Sequence, residues 1–353
     1  MRRVAKLSAA CLATAALAVT ATACGSTSSD NNASSSSSSG GAKGGVKIGL
    51  AYDVGGRGDR SFNDSAARGA DKAEKEFGGS IKELTAKTSD TPADREQRLT
   101  DLAQAGYNPV IAIGYTYAPA VEKIAKQFPK TSFGLVDSVV NGSNVDNITF
   151  TEEQSSYLAG VAAALKTKKD HVGFIGGVDI PLIKKFEAGY VQGVHDTNPK
   201  VKVDVQYLSH GSDTSGFASP DKGKEAAQGM LDNGADVVYS AAGSSGNGAI
   251  EAVSGVKGAW AIGVDSDQYQ IPGLAKYKNS ILTSAVKNVD VGVYDLIQSV
   301  KNGKPLTGNN VYSLAKNGVS LATSGGFLTD IQPKLDAAKQ KIVSGQIKVK
   351  TTP

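Results

Sequence analysis

The sequence predicts an α/β protein of two lobes, each built on a parallel sheet. Three observations support this. The chain has 353 residues, more than one hydrophobic core usually serves, so two domains are expected. Short apolar runs alternate with amphipathic helical stretches, the mark of parallel strands joined by right-handed crossovers. The alternation occurs twice, over 46–136 and again over 172–264.

The first half is organised around one turn. An apolar strand at 46–51 runs into Tyr52-Asp53-Val54-Gly55-Gly56-Arg57-Gly58-Asp59-Arg60-Ser61-Phe62-Asn63-Asp64. A polar, glycine-rich turn between strand and helix lies at the carboxyl end of the sheet, where open α/β folds bind ligands. Its aromatic, amide and carboxylate groups suit a flat polar molecule, while Arg57, Asp59 and Arg60 read as a solvated rim. A helix at 65–77 follows, with Ala66, Ala70, Ala73 and Phe77 on one stripe. Next come a strand at 81–87 and a helix at 93–105, closed by Gly106. A strand at 109–114 leads to Tyr115 and Tyr117, a helix spans 118–128, and strands follow at 131–136 and 145–150.

The second half repeats the grammar. A small-residue helix at 152–165 leads to a strand at 171–177, a helix at 181–195 and a strand at 201–208. A helix at 221–233 is closed by Gly234, and a strand at 235–239 precedes the Ser-Gly turn at 243–246. A short helix at 248–255, strands at 260–264 and 281–285, a helix at 289–300, short strands at 311–314 and 319–322, and a helix at 336–343 complete the chain. The expected division is 46–148 with 266–320 as lobe 1, and 149–265 with 321–353 as lobe 2. The crossings then fall near Thr149, Ser266 and Leu321. Ligand loops from both sheets would face each other across an interdomain cleft.

The amino terminus reads as an export signal. Arg2, Arg3 and Lys6 precede a small apolar stretch ending in Ala21-Thr22-Ala23-Cys24-Gly25. This resembles a bacterial lipoprotein signal over 1–23, with Cys24 lipidated, although Ala21 stands where leucine is usual. Residues 24–45, nearly all Ser, Asn, Gly and Ala, read as a flexible tether. Cys11 and Cys24 are the two cysteines of the sequence, so the body beyond the tether has no thiol or disulfide chemistry. The net charge is +4, and loss of the three leader cations leaves +1. The body therefore has no overall pull toward nucleic acid.

Enzymatic motifs do not fit. His171, His195 and His210 lie on different elements, which argues against a histidine metal site, and no EF-hand spacing occurs. Gly56-Arg57-Gly58 fails the dinucleotide fingerprint because Ser61 takes the third glycine's place, and no Walker loop is present. Gly243-Ser244-Ser245-Gly246 lacks the spacing of a serine-hydrolase elbow. No cofactor is expected, and the chain reads as a binding protein, not an enzyme.

The turn at 52–63 resembles the signature of the basic membrane protein (BMP) family. The likeness continues through Phe133-Gly134-Leu135-Val136-Asp137, Glu152-Glu153-Gln154-Ser155-Ser156-Tyr157, Val172-Gly173-Phe174-Ile175-Gly176-Gly177, Phe186-Glu187-Ala188-Gly189-Tyr190 and Gly263-Val264-Asp265-Ser266-Asp267-Gln268. It covers about 46–330. The resemblance implies a type I periplasmic-binding-protein fold. It implies a lipid-anchored substrate-binding protein on the extracytoplasmic face of the cell membrane, serving the permease and ATPase chains of an ABC importer, with a purine nucleoside as ligand. By the same resemblance Asp53 is the acid after the first strand, and Phe62 and Phe186 are stacking aromatics from the two lobes. Asn63 and Asp137 lie near the base, Gly243 offers a backbone contact, and Asp265 and Lys287 grip the ribose. Tyr115 and Gln268 are secondary candidates.

Chemistry agrees with that reading. Two aromatic faces gain burial and stacking from a purine. Vicinal hydroxyls suit a carboxylate acceptor and a lysine donor. Three acids against one lysine favour an uncharged nucleoside over a nucleotide. Three rival readings stand beside it: the same fold with a site for a sugar or other small metabolite, a signalling or adhesion lipoprotein, and a nucleoside hydrolase. A monomer is expected.

Overall fold

The computed structural model describes residues 45–353. The expected signal at 1–23, the lipidation of Cys24 and nearly all of the tether lie outside the described residues. Among the described residues, no helix is long and apolar enough to cross a membrane.

Lobe 1 begins with β1 (Val46–Tyr52), α1 (Phe62–Phe77), β2 (Gly79–Thr85), α2 (Pro92–Gln104), β3 (Val110–Ile113), α3 (Ala118–Gln127), β4 (Phe133–Val136) and β5 (Val145–Phe150). Lobe 2 follows with α4 (Glu152–Lys166), β6 (His171–Asp179), α5 (Pro181–Thr197), β7 (Lys202–His210), α6 (Pro220–Asp232), β8 (Val237–Ala241), α7 (Ser245–Ser254), β9 (Trp260–Asp265) and β10 (Ile281–Lys287). Then α8 (Val289–Lys301) and β11 (Gly308–Tyr312) return to lobe 1, and β12 (Val319–Leu321) and α9 (Gln332–Val343) close lobe 2.

Each lobe is a six-stranded sheet with helices against it. The orders are β11-β5-β4-β3-β1-β2 and β12-β10-β9-β8-β6-β7. Neighbours are parallel throughout, except that β12 runs antiparallel to β10. The inner strands β3, β4, β6 and β8 are buried along almost their whole length, as strands covered on both faces must be. Strand order reverses at β1 in lobe 1 and at β6 in lobe 2. Each lobe therefore opens a crevice beyond the carboxyl ends of β1 and β3, or of β6 and β8.

The lobe boundaries differ from expectation. The chain first crosses at Thr151. It does not cross near Ser266: beyond β9 it makes three short 3-10 turns, and β10 then lies beside β9 in the second sheet. The apolar Ile281-Leu282 start of β10 is wholly buried there, so the strand belongs to the interior of sheet 2, not to lobe 1. The second crossing falls at Asn288 and the third between β11 and β12, ahead of Leu321. After the first two crossings, the new helix packs on the lobe it enters: α4 against α5, and α8 against α1.

The α4–α5 contact explains why α4 reads as small-residue and only weakly amphipathic. Twelve of its residues are buried, many of them Ala, Ser or Gly. A Cβ on Gly160 would strike the Tyr190 carbonyl, one on Gly189 the Glu153 carbonyl, and one on Gly193 the Tyr157 carbonyl. The backbones meet where side chains would otherwise keep them apart. Gly189→Val should therefore destabilise the protein by about 1–3 kcal/mol or more through overpacking, read as a lower midpoint in urea. Unchanged stability would show that the two helices do not depend on this close approach.

Candidate functional site

One cavity, with about 550 Å3 of atom-free space including its open mouth, lies between the lobes. From lobe 1 its wall takes Asp53 and Val54 after β1, Phe62 and Asn63 at the start of α1, Gly114 and Tyr115 after β3, and Asp137 after β4. From lobe 2 it takes Phe186 of α5, Phe217, Gly243 after β8, and Asp265 and Lys287 at the ends of β9 and β10. All eight residues named from the sequence as primary ligand contacts thus line this cavity. Tyr115 joins them. Gln268 does not: its Oε1 accepts from Val264 N–H and its Nε2 donates to the Arg60 carbonyl, so it clasps the two lobes outside the cavity.

Asp59 also lines the wall, which corrects its reading as a solvated rim residue. It is 3% exposed and accepts from the N–H groups of Ser61, Asn63 and Asp64 at 2.8–3.0 Å. This carboxylate does the capping work that the Ser61 side chain leaves undone, and α1 begins at Phe62, three residues earlier than the apolar stripe indicates. Arg57 behaves as a rim residue, paired with Asp71 and Glu83. Arg60 is half-buried, its side chain close against Gly273.

The end of β1 is equally built. Asp53 Oδ1 accepts from Val54 N–H at 2.8 Å and from Thr116 Oγ1 at 3.3 Å. A side chain on Gly114 would collide with the Asp53 carboxylate, and Gly114 has φ +112, so only glycine fits comfortably beside it. Burial pushes the Asp53 and Asp59 carboxyls up to about 6 each, against the backbone N–H groups that favour their charged forms. Asn63 Nδ2 donates to the Val54 carbonyl and to Asp59, while its Oδ1 is buried without a partner among the described residues.

Lys287 is the centre of the charged wall. Its Nζ donates to Asp137 Oδ2 at 2.6 Å, with side-chain exposures of 3% and 4%. The ammonium also sits 4.7 Å from the Phe62 ring centroid and 5.5 Å from those of Phe150 and Phe186. Burial alone would pull its pKa down, but the Asp137, Asp265 and Glu152 carboxylates outweigh it and hold the lysine charged. The second Asp137 oxygen is buried without a hydrogen-bond partner among the described residues. Asp265 Oδ2 accepts from Ser61 Oγ of the other lobe at 2.6 Å. Asp137 and Asp265 both have a left-handed backbone, φ 66 and 62, which turns the chain sharply at the two strand ends. Sequence reasoning placed Asp137 with Asn63, whereas the fold brings it onto Lys287.

The sequence reading did not name Val54, Asp59, Gly114, Leu182, Ile183, Phe217, Ala241 or Val264 as contacts. For Gly114 and Val264 the signal was there, since each neighbours a named strand-end residue. For Phe217, in a short turn after β7, there was none.

Residues 46–352 match the family described as "ABC transporter substrate-binding protein PnrA-like". The chain belongs to this family. It is similar to the "CD4+ T-cell-stimulating antigen" of Listeria monocytogenes, at 36% identity over 87% of this chain and 88% of that one. It is likewise similar to the "ABC transporter nucleoside-binding protein BmpA" of Lactococcus lactis subsp. cremoris, at 36% identity over 86% and 89%. A solved ABC transporter solute-binding protein of Aeropyrum pernix K1 shares the fold with a TM-score of 0.75, at 28% identity over 87% of this chain and 93% of its own. Two α/β lobes with parallel sheets make this a type I periplasmic-binding-protein-like fold. As a PnrA-like family member the chain is an extracytoplasmic, membrane-associated binding protein for a small molecule, working with ABC permease and ATPase components.

Removing the cation of the charged wall should strand carboxylates that share it. Lys287→Met is expected to cost about 3–5 kcal/mol at pH 8 in chemical denaturation. The loss should shrink toward pH 5, where the buried acids can take protons. A pH-independent loss would assign the effect to packing alone.

Proposed function

We propose that this substrate-binding protein captures a purine nucleoside between its lobes and delivers it to the permease of an ABC importer. One juxtaposition carries the reading: two phenylalanine faces, from opposite lobes, flank the same lysine that Asp137 holds and Asp265 acts on. Phe62 and Phe186 offer apolar faces to a flat base. The free Oδ1 of Asn63 is an acceptor for a ring or exocyclic N–H of that base. The free oxygen of Asp137, with Asp265, accepts from vicinal ribose hydroxyls, and Lys287 donates back. Asp53, Asp59, Asp137 and Asp265 make the wall hostile to phosphate, which favours the nucleoside over its nucleotide. The relative from Lactococcus lactis, called nucleoside-binding, supports the same class of ligand. Lipid attachment at Cys24 completes the proposal by keeping the captured ligand at the membrane.

The lobes close by placing side chains of one on the backbone of the other. Asn247 Nδ2 donates to the Asp59 carbonyl, Ser266 Oγ to the Ser61 carbonyl, and Gln268 Nε2 to the Arg60 carbonyl. Closure brings both walls onto the ligand at once and removes water from the charged group.

A thermal-shift panel of nucleosides, bases, nucleotides and sugars tests the proposal directly. Guanosine, inosine or adenosine should raise the midpoint, and the matching nucleotides and free ribose should not. A response to sugars alone would replace the ligand, and free base appearing in chromatography would replace binding with hydrolysis. By calorimetry, Phe62→Ala should weaken nucleoside binding by about 1–3 kcal/mol, and Asp265→Ala by about 2–5 kcal/mol. Unchanged affinity in either variant removes that residue from the site.

A further inference from the structure

The block opening α4, Glu152-Glu153-Gln154-Ser155-Ser156, stands directly after the first crossing and takes no part in the cavity wall. Gln154 Oε1 accepts from Thr151 Oγ1 and from Leu314 N–H, which ties the first crossing to the third. Ser156 Oγ pairs with Tyr239 OH of β8. Glu152 is the unexplained member. It is 1% exposed, and among the described residues its Oε2 is buried without a hydrogen-bond partner. Its recorded ion pair is a long one, 3.7 Å to Lys185 Nζ of α5, a lysine with 36% side-chain exposure.

The charged and titratable groups facing Glu152 come from several elements. They are Lys287 at the end of β10, Asp137 after β4, Lys185 of α5 and Tyr239 of β8, with Asp265 at the end of β9 acting on the same lysine and tyrosine. Three carboxylates thus depend on one buried ammonium, and that ammonium is spent on Asp137 at 2.6 Å. We propose that Glu152 is the proton-holding residue of the cleft, protonated while the lobes are closed and ionised when they part, so that ligand capture takes up one proton from solvent and release returns it. The regulation belongs to the site described above and uses its proposed ligand as a probe.

The coupling follows from which groups travel together. Asp137 moves with lobe 1, whereas Glu152 and Lys287 both stay on lobe 2. Opening admits water and frees Lys287 from Asp137, and both changes favour the Glu152 carboxylate. Closing reverses both. Burial pushes Glu152 up to about 7, ahead of the pull from Lys287 and of its place at a helix amino terminus, which oppose it. A raised folded-state pKa gives stability that is complete below the ordinary glutamate value and lost as pH rises through about 7. Burial also raises Asp53 and Asp59, to about 6, and Asp265, so comparison with a Glu152 variant, and not the pH window, assigns the proton.

Calorimetry with guanosine and inosine, in buffers of different ionisation enthalpy, tests this. At pH 7 the wild-type protein should take up about half a proton per ligand, and its affinity should fall about fourfold from pH 6.5 to 8. Glu152→Gln should bind with a clearly smaller proton uptake and a shallower pH slope, the remainder belonging to the other buried acids of the cleft. Equal proton counts in the two proteins overturn the proposal. A second arm needs no ligand: thermal midpoints of both proteins from pH 5 to 8, because open and closed forms interconvert in the ligand-free protein and a protonated Glu152 favours the closed one. The wild-type midpoint should fall more steeply with rising pH, and parallel curves overturn the proposal. Silence toward nucleosides with diverging thermal curves would overturn the ligand and keep the proton on Glu152.

Discussion

A single buried ion pair, Lys287 to Asp137, fixes how the two lobes meet. Taking both charges out of water costs several kcal/mol per ion, and mutual attraction offsets that only with good geometry and further partners. The partners are visible. Asp265 and Glu152 act on the same ammonium, and the faces of Phe62, Phe150 and Phe186 surround it. The pair bridges sheet 1 and sheet 2, so each lobe supplies the other's compensation. Drawing the lobes apart would leave lysine and carboxylate to find water, which couples the shape of the protein to the hydration of its cleft.

The two acids nearest this lysine occupy matching places. Asp137 ends β4 and Asp265 ends β9, the equivalent strands of the two sheets. Both have the left-handed backbone that aspartate tolerates better than most residues. A repeated strand-end geometry thus presents a carboxylate from each side of the gap. The asymmetry comes from the neighbours. Lys287 ends β10, while the corresponding strand in lobe 1, β5, ends in Phe150. One sheet contributes the cation and the other the aromatic surface beneath it.

Much of the fold was legible because strand and helix periods differ and glycines mark the turns. Every regular strand and helix of the structure answers to an apolar run or stripe read from the chain. The misassigned strand, β10, shows the limit. An apolar run states that a strand is buried, not in which sheet, and the polar stretch at 266–280 resembled a linker between lobes although it only loops back beside β9. The cavity lining was legible where polar groups ended apolar strands, as at Asp53, Asp137 and Asp265. Asp59 was missed because its role depends on backbone N–H groups two to five residues ahead, a geometry created by the turn itself. Gln268 was misplaced for the opposite reason: its side chain folds back on Val264 and across to Arg60, and sequence position does not encode that direction.

The three clasps at the rim have an uneven construction. Asn247, Ser266 and Gln268 donate from the second lobe, and each acceptor on the first is a peptide oxygen of Asp59, Arg60 or Ser61. Every amino acid carries that oxygen, so no replacement on the first lobe abolishes the acceptor. The strength of these three clasps is therefore adjustable from one side only, by side chains outside the cavity wall, and the ligand wall can keep its selectivity while its residence time is retuned.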